Sequence, residues 1–129
     1  MSEIKTDKLT GTSTAGSILV TGEGNSTTTN LQQGLAKAWN RFVGGSVPTL
    51  LDSLNNSTAI DNGTGDYTFA YTSALQDTTP SAQCTNNTEG NYILVAHATT
   101  TTTIQVKSRS DGTAAHDDTS MFTICGDMA

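Results

Sequence analysis

The chain is 129 residues long and carries a net charge of −6, which is enough length for one domain and a short additional segment. Leu, Ile, Val and Phe account for about 18% of the residues, whereas Thr, Ser, Gly and Asn supply 58 of them, 25 being Thr. Only 14% of the residues are charged, which argues against disorder, and a Thr-rich chain with many turn residues is typical of β structure. The small apolar fraction predicts that neighbouring subunits supply part of the core.

Charge and hydropathy exclude several functional classes. The six basic residues are scattered, so no surface for the phosphates of nucleic acid is predicted. No apolar run approaches the roughly 20 residues that a membrane span requires. The first nine residues carry four charges and no apolar stretch, which is unlike a secretory signal. The sequence therefore predicts a protein made in the cytoplasm, without nucleic-acid binding or membrane insertion.

Residues 1–35 are predicted to form an extended stem segment with one apolar cluster, Ile18–Val20, closed by turn residues. After this cluster, four large apolar side chains recur at spacings of three or four residues, which favours a helix. They are Leu31, Leu35, Trp39 and Phe42. The alternative is a short helical turn at 29–34 followed by a strand over 36–43. The sequence leaves 36–43 open between helix and strand, and it predicts one short helix.

The clearest local pattern is a hairpin. Three aromatic residues alternate with small or polar ones over 66–72, the period of two expected of a half-buried strand. They are Tyr67, Phe69 and Tyr71. Asn62 and Gly63 precede this strand, and an Asn-Gly pair is typical of a type I′ turn because both central positions need a positive φ. The sequence therefore predicts a hairpin with a tight turn at Asn62-Gly63-Thr64-Gly65.

Other short runs of β-forming residues are separated by turn residues, roughly every eight to twelve positions. These runs predict strands at 50–54, 57–61, 79–85, 91–99, 101–109 and 119–126. Both faces of 91–99 are mostly apolar, which indicates a central strand covered on each side. The pattern as a whole predicts an all-β fold, an antiparallel and jelly-roll-like β-sandwich over 36–129.

Two acidic stretches and one histidine offer ligands for a cation, but each has a simpler interpretation. The oxygens of 61–66 suit calcium, although the EF-hand pattern is absent and a hairpin turn explains them. Residues His116 to Asp118 offer ligands for a divalent cation, although solvated acidic loops are far commoner. His97 is expected to be a buried imidazole, with an axial site shared between subunits as the alternative. The prediction is that no metal or cofactor is bound.

No catalytic motif surrounds the Ser, His, Asp and Cys side chains. The chain has no Gly-x-Ser-x-Gly, no phosphate-binding loop and no dinucleotide fingerprint, so no enzymatic activity is expected. Cys84 and Cys125 are far apart in sequence, and in a reducing compartment two buried thiols are expected. Their strands are potential neighbours, so the sequence leaves the formation of a disulfide open.

Three segments of the chain, in order, carry a resemblance to a known family. The first is the opening, residues 1–9, of the form SEIK-x-DK. The second runs from 36–42, which contains Lys-Ala-Trp, through 52–55 to 61–69. Within it, 61–68 reads DNGTGDYT and is the most specific block. The third consists of 106–109 and 122–129, which ends on Gly-Asp-Met-Ala. The sequence thus resembles the small fibre and tail-fibre-tip proteins of tailed bacteriophages, above all those that infect marine bacteria and cyanobacteria.

The resemblance implies a non-enzymatic virion structural protein that forms a homotrimer. Residues 1–35 would anchor it to other virion proteins, and the knob at 36–129 would point outward and contribute to host attachment, with a host-surface glycan as a candidate ligand. The candidate trimer interface consists of Ile18, Leu19, Val20, Leu31, Leu35 and Trp39. The candidate receptor-facing loops contain Asn86, Asn87, Asp111, His116, Asp117 and Asp118.

Two other functions remain open at this point. A capsid head fibre or decoration protein is suggested by the short length, because fibre proteins of this family usually carry the same block at the end of a long shaft. A cellular carbohydrate-binding module is the third hypothesis. It is weakened by the small number of aromatic residues, since aromatic side chains on an exposed surface are what sugars stack on.

Overall fold

The computed structural model describes residues 3–11, 18–21, 28–31, 34–87, 92–110 and 114–129. The chain divides into two units, Met1–Leu35 and Ala36–Ala129. In the described part of the first unit, β1 (Leu19–Thr21) and β2 (Thr28–Asn30) form a two-stranded antiparallel ribbon.

The second unit contains nine strands among its described residues, arranged in antiparallel sheets. They are β3 (Ala36–Val43), β4 (Thr49–Leu54), β5 (Asn56–Gly63), β6 (Asp66–Tyr71), β7 (Ser81–Asn86), β8 (Tyr92–Thr100), β9 (Thr103–Ser110), β10 (Ala114–Ala115) and β11 (Thr119–Cys125). Sheet I has the order β4-β3-β11-β7. Sheet II has the order β8-β9-β6-β5, and β10 pairs with the last residues of β9.

The two sheets face each other across one hydrophobic core. Phe42 of β3 contacts Tyr67 and Phe69 of β6, with ring centroids 5.3 and 4.6 Å apart. Phe69 also contacts Phe122 of β11 at 5.3 Å. These tilted and edge-to-face geometries are the favourable ones for aromatic pairs, and each ring that is fully buried contributes roughly 1.5–3 kcal/mol. The core also includes Ala38, Tyr71, Leu75, Ile104, Val106 and Ile124.

The prediction of an all-β, antiparallel fold is confirmed, and the six strands predicted beside the hairpin each overlap an observed strand. The segment 36–43 is the strand β3, because Ala38, Asn40 and Phe42 are buried at a period of two, not of three or four. None of the described residues is helical; residues 32 and 33, within the predicted helical turn, lie outside them. Accordingly, the described residues contain no helix that could span a membrane.

The strand order is not that of a jelly roll. Four pairs of consecutive strands are neighbours within one sheet, namely β3–β4, β5–β6, β8–β9 and β9–β10. In a jelly roll most consecutive strands lie in opposite sheets. Among the described strands of the second unit, the chain changes sheet only after β4, β6, β7 and β10.

The hairpin between β5 and β6 forms, and its turn lies in the second half of the predicted turn. Gly63 pairs with Asp66, so the turn residues are Thr64 and Gly65, and the register shifts between Asp61 and Gly63. Gly65 has a φ of +64°, a conformation that glycine adopts without strain. The observed turn therefore lies within the predicted residues 62–65, but its central positions are Thr64 and Gly65 rather than Asn62 and Gly63, because the register shift moves them two residues along the chain.

The prediction that 91–99 is a central strand is also wrong. The strand β8 lies at the edge of sheet II, with β9 as its sheet neighbour among the described residues. Ile93 and Val95 on its outer side are 54% and 52% exposed. Apolar residues on both faces are compatible with a central strand. They do not determine which strands pair with it, and that pairing places β8 at the edge.

Candidate functional site

The strands give the second unit two distinct ends. The chain enters at Ala36, and β3 runs eight residues from there to Val43, roughly 25 Å. At this entry end the corner between the sheets is held by Asn55, whose side-chain amide donates to the carbonyls of Lys37 and Ser73, both at 3.0 Å. The opposite end, here called the loop end, contains residues 44–48, 64–65, 87 and 114–118.

Asp117 and Tyr67 join three loops at the loop end. The Asp117 carboxylate accepts hydrogen bonds from the amide of Gly65 at 2.7 Å and from the hydroxyl of Tyr67. The same hydroxyl accepts a hydrogen bond from the amide of Gly45 at 2.8 Å. Burial, followed by the bond to Asp117, raises the pKa of Tyr67 above its usual range, so the hydroxyl keeps the proton that it donates.

Asp118 reinforces the same loops from the interior. Asp118 is 9% exposed, and its backbone carbonyl accepts a hydrogen bond from the amide of Gly44 at 2.8 Å. Its carboxylate accepts hydrogen bonds from the amide of Thr119 at 2.7 Å and from the side chain of Asn86. Gly44 fits closely here, since a Cβ at this position would lie 2.5 Å from the hydroxyl oxygen of Tyr67. The loop end is therefore a tightly interlocked structure.

The topology brings five of the six predicted receptor-facing residues to the loop end, and Asp111 lies outside the described residues. The five are Asn86, Asn87, His116, Asp117 and Asp118. Three of these side chains fasten loops as described above, whereas Asn87 and His116 are exposed. The ring of His116 contacts that of Tyr92, with centroids 5.0 Å apart. Only part of the predicted set is therefore free to contact a partner.

Four of the six candidate interface residues lie on the ribbon of the first unit or next to it. Leu19 and Val20 on β1 are more than half exposed, and the amide of Leu31 donates to the carbonyl of Ile18 at 2.9 Å. Leu35 is exposed at the end of the first unit. The sixth candidate, a tryptophan, belongs to the second unit and has different surroundings, described below.

A polar network covers part of the outer side of sheet II. The Asp66 carboxylate accepts hydrogen bonds from Gln105 at 2.8 Å and Asn62 at 3.2 Å, and it forms an ion pair with Lys107 at 3.4 Å. Asn62 also donates to the hydroxyl of Thr68 at 2.8 Å. Burial alone would raise the pKa of Asp66, but these partners together outweigh it and lower the pKa. The polar groups of this network therefore form hydrogen bonds and an ion pair with one another.

The described residues contain no group of three His, Cys, Asp or Glu side chains placed to hold a metal ion. His97 is exposed on the edge strand β8, which corrects the prediction of a buried imidazole. Cys84 and Cys125 are free thiols. Cys84 pairs in register with Phe122 and Cys125 with Ser81, so the two cysteines lie three positions apart along neighbouring strands and do not form a disulfide.

The outer side of sheet I has a depression of about 400 Å³ around Trp39. Strands β3, β4 and β11 line it, because Trp39 pairs with Thr123 and Arg41 pairs with both Met121 and Asp52. A register shift in the pairing of β3 with β4 follows Arg41. The lining residues are Trp39, Asn40, Arg41, Leu51, Asp52, Met121, Phe122 and Thr123.

The two charged side chains of this depression have few partners among the described residues. The guanidinium of Arg41 is exposed and makes no hydrogen bond or ion pair with them. Asp52 is exposed, and its Oδ1 accepts from the adjacent amide of Ser53 at 2.8 Å. Sequence reasoning placed Trp39 at a subunit contact and missed this depression. The alternation within 36–43 put Trp39 and Arg41 on one face, but their neighbours come from distant parts of the chain.

Comparison with known proteins assigns no family, since no protein-family model, curated protein or solved structure matches the chain.

Proposed function

We propose that the protein is a non-enzymatic structural component of a bacteriophage virion, a trimeric tail fibre or fibre-tip protein that contributes to host attachment. The resemblance of three segments to such proteins supports the proposal, namely 1–9, the stretch from 36 to 69, and 106–109 with 122–129. The observation that carries it is the difference between the two ends of the second unit. The chain enters this unit at Ala36, and interlocked loops lie at the opposite end. A chain connection at one end and fixed loops at the other suit an attachment knob.

The rigidity of the loop end supports a recognition role. Loops on a rigid scaffold are common sites of binding, and loops that are already ordered lose less conformational entropy when they bind. Tyr67, Asp117 and Asp118 provide this order through their hydrogen bonds. In the proposed function these residues position the loops, and the exposed side chains of Asn87 and His116 contact the host surface.

The ribbon of the first unit supports the trimeric state. Its strands are three residues long, and an isolated two-stranded ribbon is only marginally stable in water. Leu19 and Val20 are adjacent on β1, so their side chains point to opposite faces, and they are 57% and 51% exposed. Two apolar faces require two neighbours. A threefold assembly of this chain supplies one neighbour for each face, and a dimer supplies only one.

The oligomeric state is tested by the mass in solution, measured by light scattering after size-exclusion chromatography. We expect three times the chain mass of 13.4 kDa. Leu19→Asn and Val20→Asn should each lower this mass, because each removes the apolar group from one of the two contacting faces. The matched variant Ile93→Asn changes an exposed apolar residue of the second unit and should leave the mass unchanged. A monomeric wild-type protein would contradict the trimer.

Attachment is tested by adding the purified protein to cells of the host of the encoding phage before infection. We expect the protein to bind the cells and to slow phage adsorption. The double variant Asn87→Ala, His116→Ala should do so less, without loss of thermal stability, because both side chains are exposed. A protein that neither binds cells nor slows adsorption contradicts the attachment role. Immunogold labelling on the capsid instead of the tail would favour the head-fibre or decoration alternative.

A further inference from the structure

We propose that the depression around Trp39 on the outer side of sheet I is a binding site for one neutral pyranose unit of a saccharide. This inference deepens the attachment proposal and rests on it for the source of the sugar, a host-surface glycan. It assigns Trp39 to ligand binding, where the sequence had suggested a contact between subunits.

The shape of the site suits a single sugar ring. Its volume of about 400 Å³ lies within the range of roughly 300–1,000 Å³ that is typical of small-molecule pockets. Trp39 lies on β3, which has β4 on one side and β11 on the other, so the sheet holds the backbone that carries the indole in place. A flat aromatic surface packs against the C–H face of a pyranose, and Leu51 and Met121 extend the apolar lining.

The polar groups of the site suit hydroxyl groups. A sugar hydroxyl both donates and accepts, so a site for it needs a donor and an acceptor close together. Arg41 and Asp52 are cross-strand neighbours, and the guanidinium of Arg41 has no partner among the described residues. The Asp52 carboxylate has capacity beyond the one bond to Ser53, and the Thr123 side chain is exposed on β11. Hydrogen bonds to these charged groups are stronger than those between neutral groups.

The charge of the site favours a neutral ligand. Arg41 and Asp52 carry opposite charges in adjacent positions, so an anionic or cationic sugar would gain from one group and be repelled by the other. A second copy of the chain is the competing occupant, because Trp, Met and Arg are also enriched in protein interfaces. The unused donors and acceptors in a concave site of small-molecule size favour the sugar.

The chain provides its own reporter for this site, since Trp39 is its single tryptophan. We would follow tryptophan fluorescence while titrating the methyl glycosides of glucose, galactose, mannose and N-acetylglucosamine. We expect a saturable change in emission with at least one of them and a Kd of about 1 mM, as is typical of a ligand of this size. Asp52→Ala and Arg41→Ala should each weaken binding at least about tenfold, the effect of a lost charge-assisted hydrogen bond.

The matched control is Asp77→Ala. Asp77 is an exposed aspartate that accepts a hydrogen bond from a nearby backbone amide, that of Thr79 at 2.7 Å, as Asp52 does from Ser53. Asp77→Ala should leave the titration unchanged. Three results would overturn the inference: no response to any of the four glycosides, a response that is equally strong in Asp52→Ala, or an emission that changes with protein concentration alone, which would indicate a second copy on this face.

The titration also separates this inference from the attachment proposal, because it uses no cells. If a glycoside binds at Trp39 but the protein does not bind the host, the attachment proposal fails and the sugar site stands. If the protein binds the host and no glycoside changes the emission, the sugar site fails and the attachment proposal stands.

Discussion

The loop end of the second unit and the face around Trp39 are both polar, but they use their polar groups in opposite ways. At the loop end, Asp117 and Asp118 accept hydrogen bonds from backbone amides and from the side chains of Tyr67 and Asn86. On the Trp39 face, Arg41 has no such partner among the described residues. The loop end uses its acidic residues to fix its own shape, whereas the Trp39 face keeps donors and acceptors available.

This difference teaches how to choose binding residues in a chain without recognisable motifs. An exposed polar cluster is a weak indication by itself, because its groups often satisfy one another, as the partners of Asp66 do. Polar groups with unused hydrogen-bonding capacity beside an aromatic surface are a stronger indication. On this criterion, substitutions at the loop end should reduce stability, and substitutions on the Trp39 face should reduce ligand binding.

The largest effect on stability is expected for Gly44→Ala at the loop end. A Cβ at this position would lie 2.5 Å from the Tyr67 hydroxyl and 2.9 Å from backbone atoms of Asp118, so the interlocked loops must move apart. We expect a loss of about 3 kcal/mol in the free energy of unfolding, measured by urea denaturation. Gly126→Ala is the matched control, because its Cβ would lie no closer than 3.2 Å to the Cβ and 3.5 Å to the Cα of Pro80. Equal effects of the two variants would refute the interlocked loop end.

Asp117→Ala and Asp52→Ala test the comparison directly. Asp117→Ala removes the acceptor for Tyr67 and Gly65 and should lower the free energy of unfolding by about 1.5 kcal/mol. Asp52→Ala should change it by less than about 0.5 kcal/mol, because Asp52 is exposed and bonds only to an adjacent amide. Both values follow from urea denaturation under the same conditions. A larger loss for Asp52→Ala than for Asp117→Ala would reverse the assignment of the two regions.

Asn40→Leu should stabilise the sheet that carries the Trp39 face. Asn40 is 1% exposed, and neither its Nδ2 nor its Oδ1 has a hydrogen-bond partner in the part of the chain that the structure describes. A buried polar group without a partner is unfavourable, and leucine has a similar volume, so we expect a gain of about 1 kcal/mol. A rise in the melting temperature measured by circular dichroism checks this. A fall would mean that the amide makes an interaction that leucine cannot replace.

The smallest effect concerns the network around Asp66 and depends on pH. The pKa of Asp66 in the folded chain lies below its ordinary value of 3.8, so the network stabilises the fold above that value and loses this contribution as the pH falls through the folded-state pKa. At neutral pH, Asp66→Asn should lower the free energy of unfolding by about 0.5–1 kcal/mol, a modest value because the ion pair is partly exposed. The difference should vanish in acid. A difference that persists below the folded-state pKa would show that Asp66 acts through packing.

Local patterns in the sequence were sufficient to predict the strands but not their neighbours. The alternation of Tyr67, Phe69 and Tyr71 predicted β6 correctly, because a period of two depends only on residues within the strand. The position of β8 at an edge depends on which strands pair with it, and the side chains of β8 do not encode that. The turn at Thr64-Gly65 depends on a register shift between two strands, which outweighed the local preference of Asn-Gly.

The candidate sites follow the same rule. The sequence identified polar residues near the ends of β7 and β9, and the topology brings most of them to one end. Whether a side chain is exposed or fastens a loop depends on contacts such as that of Asp117 with Tyr67, fifty positions apart in the chain. The Trp39 site could not be predicted, because it forms only when β3 pairs with β4 and β11. Thr123 of β11, which pairs with Trp39, lies more than eighty positions further along the chain.

The most direct test of the central claim is to map saccharide binding on the ¹⁵N-labelled protein by NMR, with the methyl glycoside that gives the strongest fluorescence response. The account predicts that the amide shifts change at Trp39, Arg41, Asp52 and Thr123, and at the Trp39 indole, while those of Asn87 and His116 stay in place. Shift changes confined to Asn87 and His116, or none in the second unit, would contradict it.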